Sequence, residues 1–169
     1  LPLYAQDEAG YDNLCHLVSK AHLERPLEFE PHVRIGDLDG RTDGLIAFTG
    51  ASEGAGTRLL AEGQQSHADV LLSRLQALFP DRLYIELARR GDPIEERAEA
   101  ALVDLAYARD LPLVATNPAN FAEPHMHKAH YAMLCIAGST HVAAEERARS
   151  NSERYVMTYH LTEEAFADV

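Results

Sequence analysis

"RLYIELARRGDPIEERAEAALVDLAYARDLPLVATN" runs from Arg82 to Asn117 and passes through three patterns in succession. Arg82 to Ala88 is a short apolar run, Tyr84 and Ile85 among its strand-favouring residues, and it breaks at the glycine of "RRGD". That predicts a strand. Asp92 then stands where a helix cap belongs, because its carboxylate accepts from backbone N–H groups that the first turn leaves free. Pro93 suits the first helical position, and Glu95 falls where a capping carboxylate closes the box. Ile94, Ala98, Ala101, Leu102 and Leu105 follow at helical spacing, a stripe to be buried. Leu111 to Asn117 is a second apolar run ending in polar residues. Two strands joined by a helix of this length are parallel neighbours, since a hairpin turn cannot connect them.

The same alternation extends outward. "GLIAFTG" (Gly44 to Gly50) is a glycine-bounded strand, and a short helix around Arg58 to Glu62 comes next. Ser66 to Phe79 repeats an apolar face at Leu71, Leu75, Leu78 and Phe79, with Pro80 as a stop. Upstream, "LPLYAQ" reads as a strand from the first residue, and its abrupt start is that of a piece of a longer chain. Gly10 to Leu23 is a helix whose apolar face is Tyr11, Leu14, Val18 and Ala21; Pro26 and Pro31 then impose a loop. His125 to Ala137 is the last long helix, closed by Gly138. The expectation is an α/β fold of mostly parallel strands. In such folds ligands lie at the carboxyl ends of strands, here "TGASEG", "LARRGD" and "ATNPANF".

Composition narrows the function classes. The 169 residues suffice for one domain with a real core. A net charge of −12, from 27 acidic against 15 basic residues, disfavours wholesale binding to a phosphate backbone. The two cysteines, Cys15 and Cys135, fall in helical stretches and read as buried small hydrophobes rather than a disulfide framework. No apolar run reaches the length of a membrane span, and the expected compartment is the cytoplasm.

Three groups invite chemistry. "TGASEGAGTRLL" (Thr49 to Leu60) is close to the phosphate-cradling pattern GxxxxGK[ST], but the lysine is missing and Glu53 adds negative charge. A tight turn whose glycines supply positive φ is the favoured reading. "HMHKAH" clusters His125, His127 and His130, yet on a helix the first two point about 200° apart, and only His127 and His130 share a face. Two ligands do not make a site without a third, and a solvated or half-buried helix start is the favoured reading over a metal. Glu86, inside its strand, lies on the side of Tyr84 and Ala88; a ligand or general base and an inward carboxylate paired with arginine stand as equal alternatives. No GxSxG elbow and no CxxC spacing occur.

The order of four segments resembles the PHP (polymerase and histidinol phosphatase) domain of bacterial DNA polymerase III α subunits. These are "LPLYAQDEAGYDNLCHLVSKA", "GLIAFTGASEGAGTRLLAEG", "LFPDRLYIELARRGDPIEERAEAALVDLAYARDLPLVATNPANF" and "AHYAMLCIAGSTHV", together spanning nearly all of residues 1 to 150. The resemblance implies part of a distorted (β/α)7 barrel over residues 1–150, with 151–169 leading into the next polymerase domain. It also implies that metal-bearing members hold two or three ions at strand ends and hydrolyse phosphoesters, often as 3′ to 5′ exonucleases.

Against that pattern this chain departs at the ligand positions. Active members carry a histidine where Arg90 stands, and an Asp-x-His where Pro118, Ala119 and Asn120 stand. Neither proline nor asparagine replaces an anionic carboxylate and an imidazole as metal donors. The resemblance therefore implies a metal-free, non-catalytic scaffold without cofactor. Its partners would be the remainder of the α subunit and the proofreading exonuclease subunit, with DNA held by other domains and Mg serving the parent polymerase. The competing reading is an active PHP phosphoesterase using zinc or manganese, with Glu86, His127 and His130 as the candidate ligands. A plain interaction domain of another α/β family is a third.

Overall fold

The computed structural model describes residues 1–26, 28–141, 152 and 154–168. The boundary expected near residue 150 lies outside these. In chain order the elements are β1 (Leu3–Ala5), α1 (Glu8–Leu23), β2 (Leu45–Phe48), α2 (Ala55–Ala61), α3 (Gln65–Leu78), β3 (Leu83–Leu87), α4 (Pro93–Arg109), β4 (Leu113–Ala115), α5 (His127–Ala137) and α6 (Tyr159–Ala165). The strands lie side by side in chain order, β1-β2-β3-β4. β2, β3 and β4 are parallel, with Ala47 opposite Leu83 and Glu86 opposite Val114. β1 runs antiparallel to β2, Tyr4 opposite Ile46. The mixed α/β fold with a mostly parallel sheet is the one the alternation predicts.

Strand periodicity divides the sheet into two unlike faces. Leu45, Ala47 and Leu83 pack with Leu17 of α1, Leu75 and Leu78 of α3, and Phe79. Ile85 and Leu87 pack with Leu60, Ala68, Leu72, Ala98, Leu102 and Leu105 from α2, α3 and α4. Sequential parallel strands with crossovers of one hand put their helices on one side, which is how both clusters come to share a face. The opposite face carries Tyr4, Phe48 and Tyr84, ring centroids 4.8 and 5.7 Å apart, and Glu86 continues that row.

Helix α1 corrects the expected stripe. Tyr11 and Val18 are 62% and 57% exposed, whereas Leu17 and Gly10 are buried and Leu14 packs against the core. The cause is Gly10: a Cβ there would stand 1.9 Å from the Gly44 carbonyl oxygen, so the helix turns its glycine edge to the sheet. Cys15 shares the outward side and is exposed, against expectation; Cys135 is buried. Helix α3 likewise adds Ala68 and Leu72 to its buried side, and Leu71 is only partly buried. Helix α5 starts at His127 rather than His125, because Pro124–Met126 form a separate 3₁₀ turn. Asp92 caps α4 as expected, accepting from the Ile94 N–H at 2.9 Å. Glu95 does not close that box; its carboxylate is turned elsewhere.

Candidate site at the strand ends

Beyond the carboxyl ends of the strands lies a pocket of about 430 Å³. It brings together Glu86, Arg90, Pro118 and Asn120, with the Gly50–Gly54 turn and Arg154 completing its wall. Four sequence-predicted positions thus meet in one place.

Glu95 is the residue that organises it. Buried beside the first turn of α4, its Oε1 accepts from Arg90 Nε at 3.1 Å and, more closely, from Arg90 Nη2. Its Oε2 accepts from the Arg90 backbone N–H at 3.4 Å. Ser52 joins the pair: its N–H donates to Glu95 Oε1 at 3.4 Å, and Arg90 Nη2 donates to Ser52 Oγ at 3.3 Å. The side chains are 6% and 5% exposed, so the two charges neutralise each other out of water. Asp92 lies alongside. Burial raises its pKa, but the Ile94 N–H, the Ser52 hydroxyl and the charges of Arg90 and Arg154 outweigh that and leave it below the usual carboxylate range.

Glu86 is also buried, and its partner is a threonine. Oε1 accepts from Thr116 Oγ1 at 2.6 Å, while the Glu86 N–H donates to Thr49 Oγ1 at 3.0 Å. Oε2 has no hydrogen-bond partner among the described residues. The Gly50 turn spends its own polar groups internally. Gly50 has φ of +80°, the conformation glycine supplies freely. Thr57 Oγ1 donates to the Gly50 carbonyl at 2.9 Å, the Gly54 N–H to the Ala51 carbonyl at 2.8 Å, and Arg58 Nε to the Ser52 carbonyl at 3.0 Å. With the Ser52 amide on Glu95, this loop is not an open ring of donors facing a phosphate.

The histidines go elsewhere. His127 and His130 share a helix face and pack on Phe121, ring centroids 5.8 and 5.5 Å away, and neither is among the described residues lining the pocket. His125 is exposed beside Glu123, 3.0 Å away. Among the described residues no three His, Cys, Asp or Glu side chains converge on a point that could hold a metal ion. The donor set fits a cation poorly: a guanidinium only donates, a proline ring has no donor atom, and Asn120 is an exposed amide. Ser52 and Thr116 lie in strand-end segments marked in sequence without being singled out, whereas Glu95 and Arg154 had no sequence signal tying them to this place. Glu95 carried a local one, the capping pattern, and it pointed to the backbone.

The chain belongs to the PHP domain family, whose model matches residues 1–90. Along all of its length it is similar to the DNA polymerase III subunit alpha of Caulobacter vibrioides, 38% identical over 169 residues, and to that of Escherichia coli K12, 33% over 170. That of Rickettsia bellii is 31% identical over 99% of the chain. The chain spans only 14 to 15% of the length of these relatives.

Proposed function

We propose that this chain is the PHP module of a replicative DNA polymerase III α subunit, and that within it the module is a metal-free, non-catalytic scaffold. DNA-directed DNA synthesis, with its Mg requirement and its DNA contacts, then belongs to the remainder of the subunit. The proofreading exonuclease subunit docks on the module, and the whole works in the cytoplasm. Among the described residues no helix is long and apolar enough to cross a membrane. Helices stacked on one face of a sequentially ordered sheet are what a segment of a (β/α)7 barrel presents, and that is the architecture we assign to the whole domain.

The observation that carries the scaffold reading is the buried Arg90–Glu95 pair. A fixed guanidinium occupies the place of a histidine ligand and neutralises the Glu95 carboxylate beside it, so that charge calls for no cation. A second reading rests on Glu86, whose free oxygen is a potential ligand to zinc or manganese in an active phosphoesterase. Assays on the full-length protein separate the two. The scaffold reading expects primer extension to survive Glu86→Gln and no 3′-nucleotide release by the wild type with manganese or zinc. Release that vanishes in Glu86→Gln would establish the enzyme instead.

A further inference from the structure

The segment from Arg154 to Asp168 touches the body of the molecule at two separated anchors. At the first, Tyr155 forms a parallel bridge with Phe121. There the Asn120 N–H donates to the Arg154 carbonyl at 2.8 Å, the Val156 N–H to the Phe121 carbonyl at 3.0 Å, and Asn117 Nδ2 to the Tyr155 carbonyl at 2.8 Å. These bonds place Arg154 in the pocket wall, 3.9 Å from Asp92. The second anchor is Arg89. Its guanidinium donates to the Ala165 carbonyl and to both oxygens of Asp168, while Glu99 of α4 holds it from the other side at 2.7 Å. It also stands 4.9 Å from the centroid of Phe166, whose ring packs on the helix-side core.

Between the anchors little is buried: Val156 is 59% and Tyr159 82% exposed. Attachment therefore rests on the end points, because exposed chain contributes little to offset its ordering entropy. The hydrogen bonds that Arg89 donates to Asp168 and Glu99 hold its guanidinium above its ordinary pKa, and Arg89 holds Asp168 below its own. We propose that residues 154–168 are a latch that seats Arg154 in the wall of the strand-end pocket, closed by the bridge at Phe121 and held shut by Arg89. Consecutive arginines after β3 then have opposite tasks. Arg90 locks one side of the pocket, and Arg89 grips the segment that sets Arg154 in its wall. Release of α6 frays the bridge, withdraws Arg154 and uncovers Asn117 and Phe121.

Hydrogen–deuterium exchange on the full-length protein tests this in wild type, Arg89→Ala and Asp168→Asn. In Arg89→Ala the Asn120 and Val156 amides exchange roughly tenfold faster or more, while Ala47 and Ile85 in β2 and β3 keep their protection. Asp168→Asn leaves the Arg89–Glu99 pair intact and gives the same pattern at roughly threefold, so it serves if Arg89→Ala does not fold. Unchanged exchange at Val156 would overturn the latch, since the bridge would then hold alone. Equal acceleration in β2 and β3 would overturn it too, by making Arg89 a support of the whole fold.

Discussion

Strand β3 serves two regions that differ in kind. Its Leu83, Ile85 and Leu87 face the helices, where contact is apolar and nondirectional; Glu86 between them faces the other way, toward a cluster in which each polar atom has an assigned partner or lacks one. The helix side tolerates changes of shape that conserve volume. The strand-end side should tolerate paired changes of charge and little else. Stability is thus common to both, but its sensitivity differs, and single and double substitutions expose the difference.

The largest effect expected is on the polar side. Glu95→Ala leaves the Arg90 charge buried beside a void and should cost about 3–5 kcal/mol, read as a lower denaturation midpoint. A loss under about 1 kcal/mol would mean that water reaches the pair freely. On the apolar side Ile85→Ala should cost about 2–5 kcal/mol, and Ile85→Val only about 0.5–1.5, with the denaturant slope unchanged. The comparison sharpens in the double variant Arg90→Met with Glu95→Leu. Removing both charges should restore stability to within about 1.5 kcal/mol of wild type, whereas in the core two truncations accumulate.

Smaller and local is the pH response of Asp37. The Arg34 N–H, at 2.7 Å, and the Lys20 ammonium, at 3.0 Å, hold its pKa at about 2, with Arg25 adding its charge. A carboxyl depressed in the folded state stabilises it above the unfolded value of 3.8, and that contribution fades as pH falls through about 2. Carbon-detected NMR titration should place the Asp37 midpoint near 2; a midpoint at 3.8 would remove the ion cluster from the account. Smallest of all, Val18→Ser on the outward side of α1 should change stability by less than about 0.5 kcal/mol in the same denaturation assay.

Much of the fold was legible because its signals are local. Asp92 and Pro93 mark the start of α4, and the apolar runs at residues 45–48 and 83–87 mark parallel strands. The phase of α1 was not, since Tyr11 and Val18 satisfy helical spacing as well as Gly10 and Leu17 do, and only the close approach to Gly44 decides between them. Cys15 followed the same error. At the site, Glu86 was singled out from its strand, and Arg90, Pro118 and Asn120 only through the family resemblance; all four line one pocket. Glu95 was assigned to its nearest backbone because a capping carboxylate and a buried counter-ion look alike in sequence. Arg154 returns from far along the chain, and no spacing announces such a contact.

We propose that the guanidinium of Arg90 takes the place of a bound cation at these strand ends. Elemental mass spectrometry on full-length protein, purified without chelator and dialysed against metal-free buffer, tests it most directly. The account predicts less than about 0.1 zinc or manganese ion per chain, the same in wild type and Glu86→Gln. A stoichiometric ion that survives dialysis in the wild type and is lost in Glu86→Gln would contradict it.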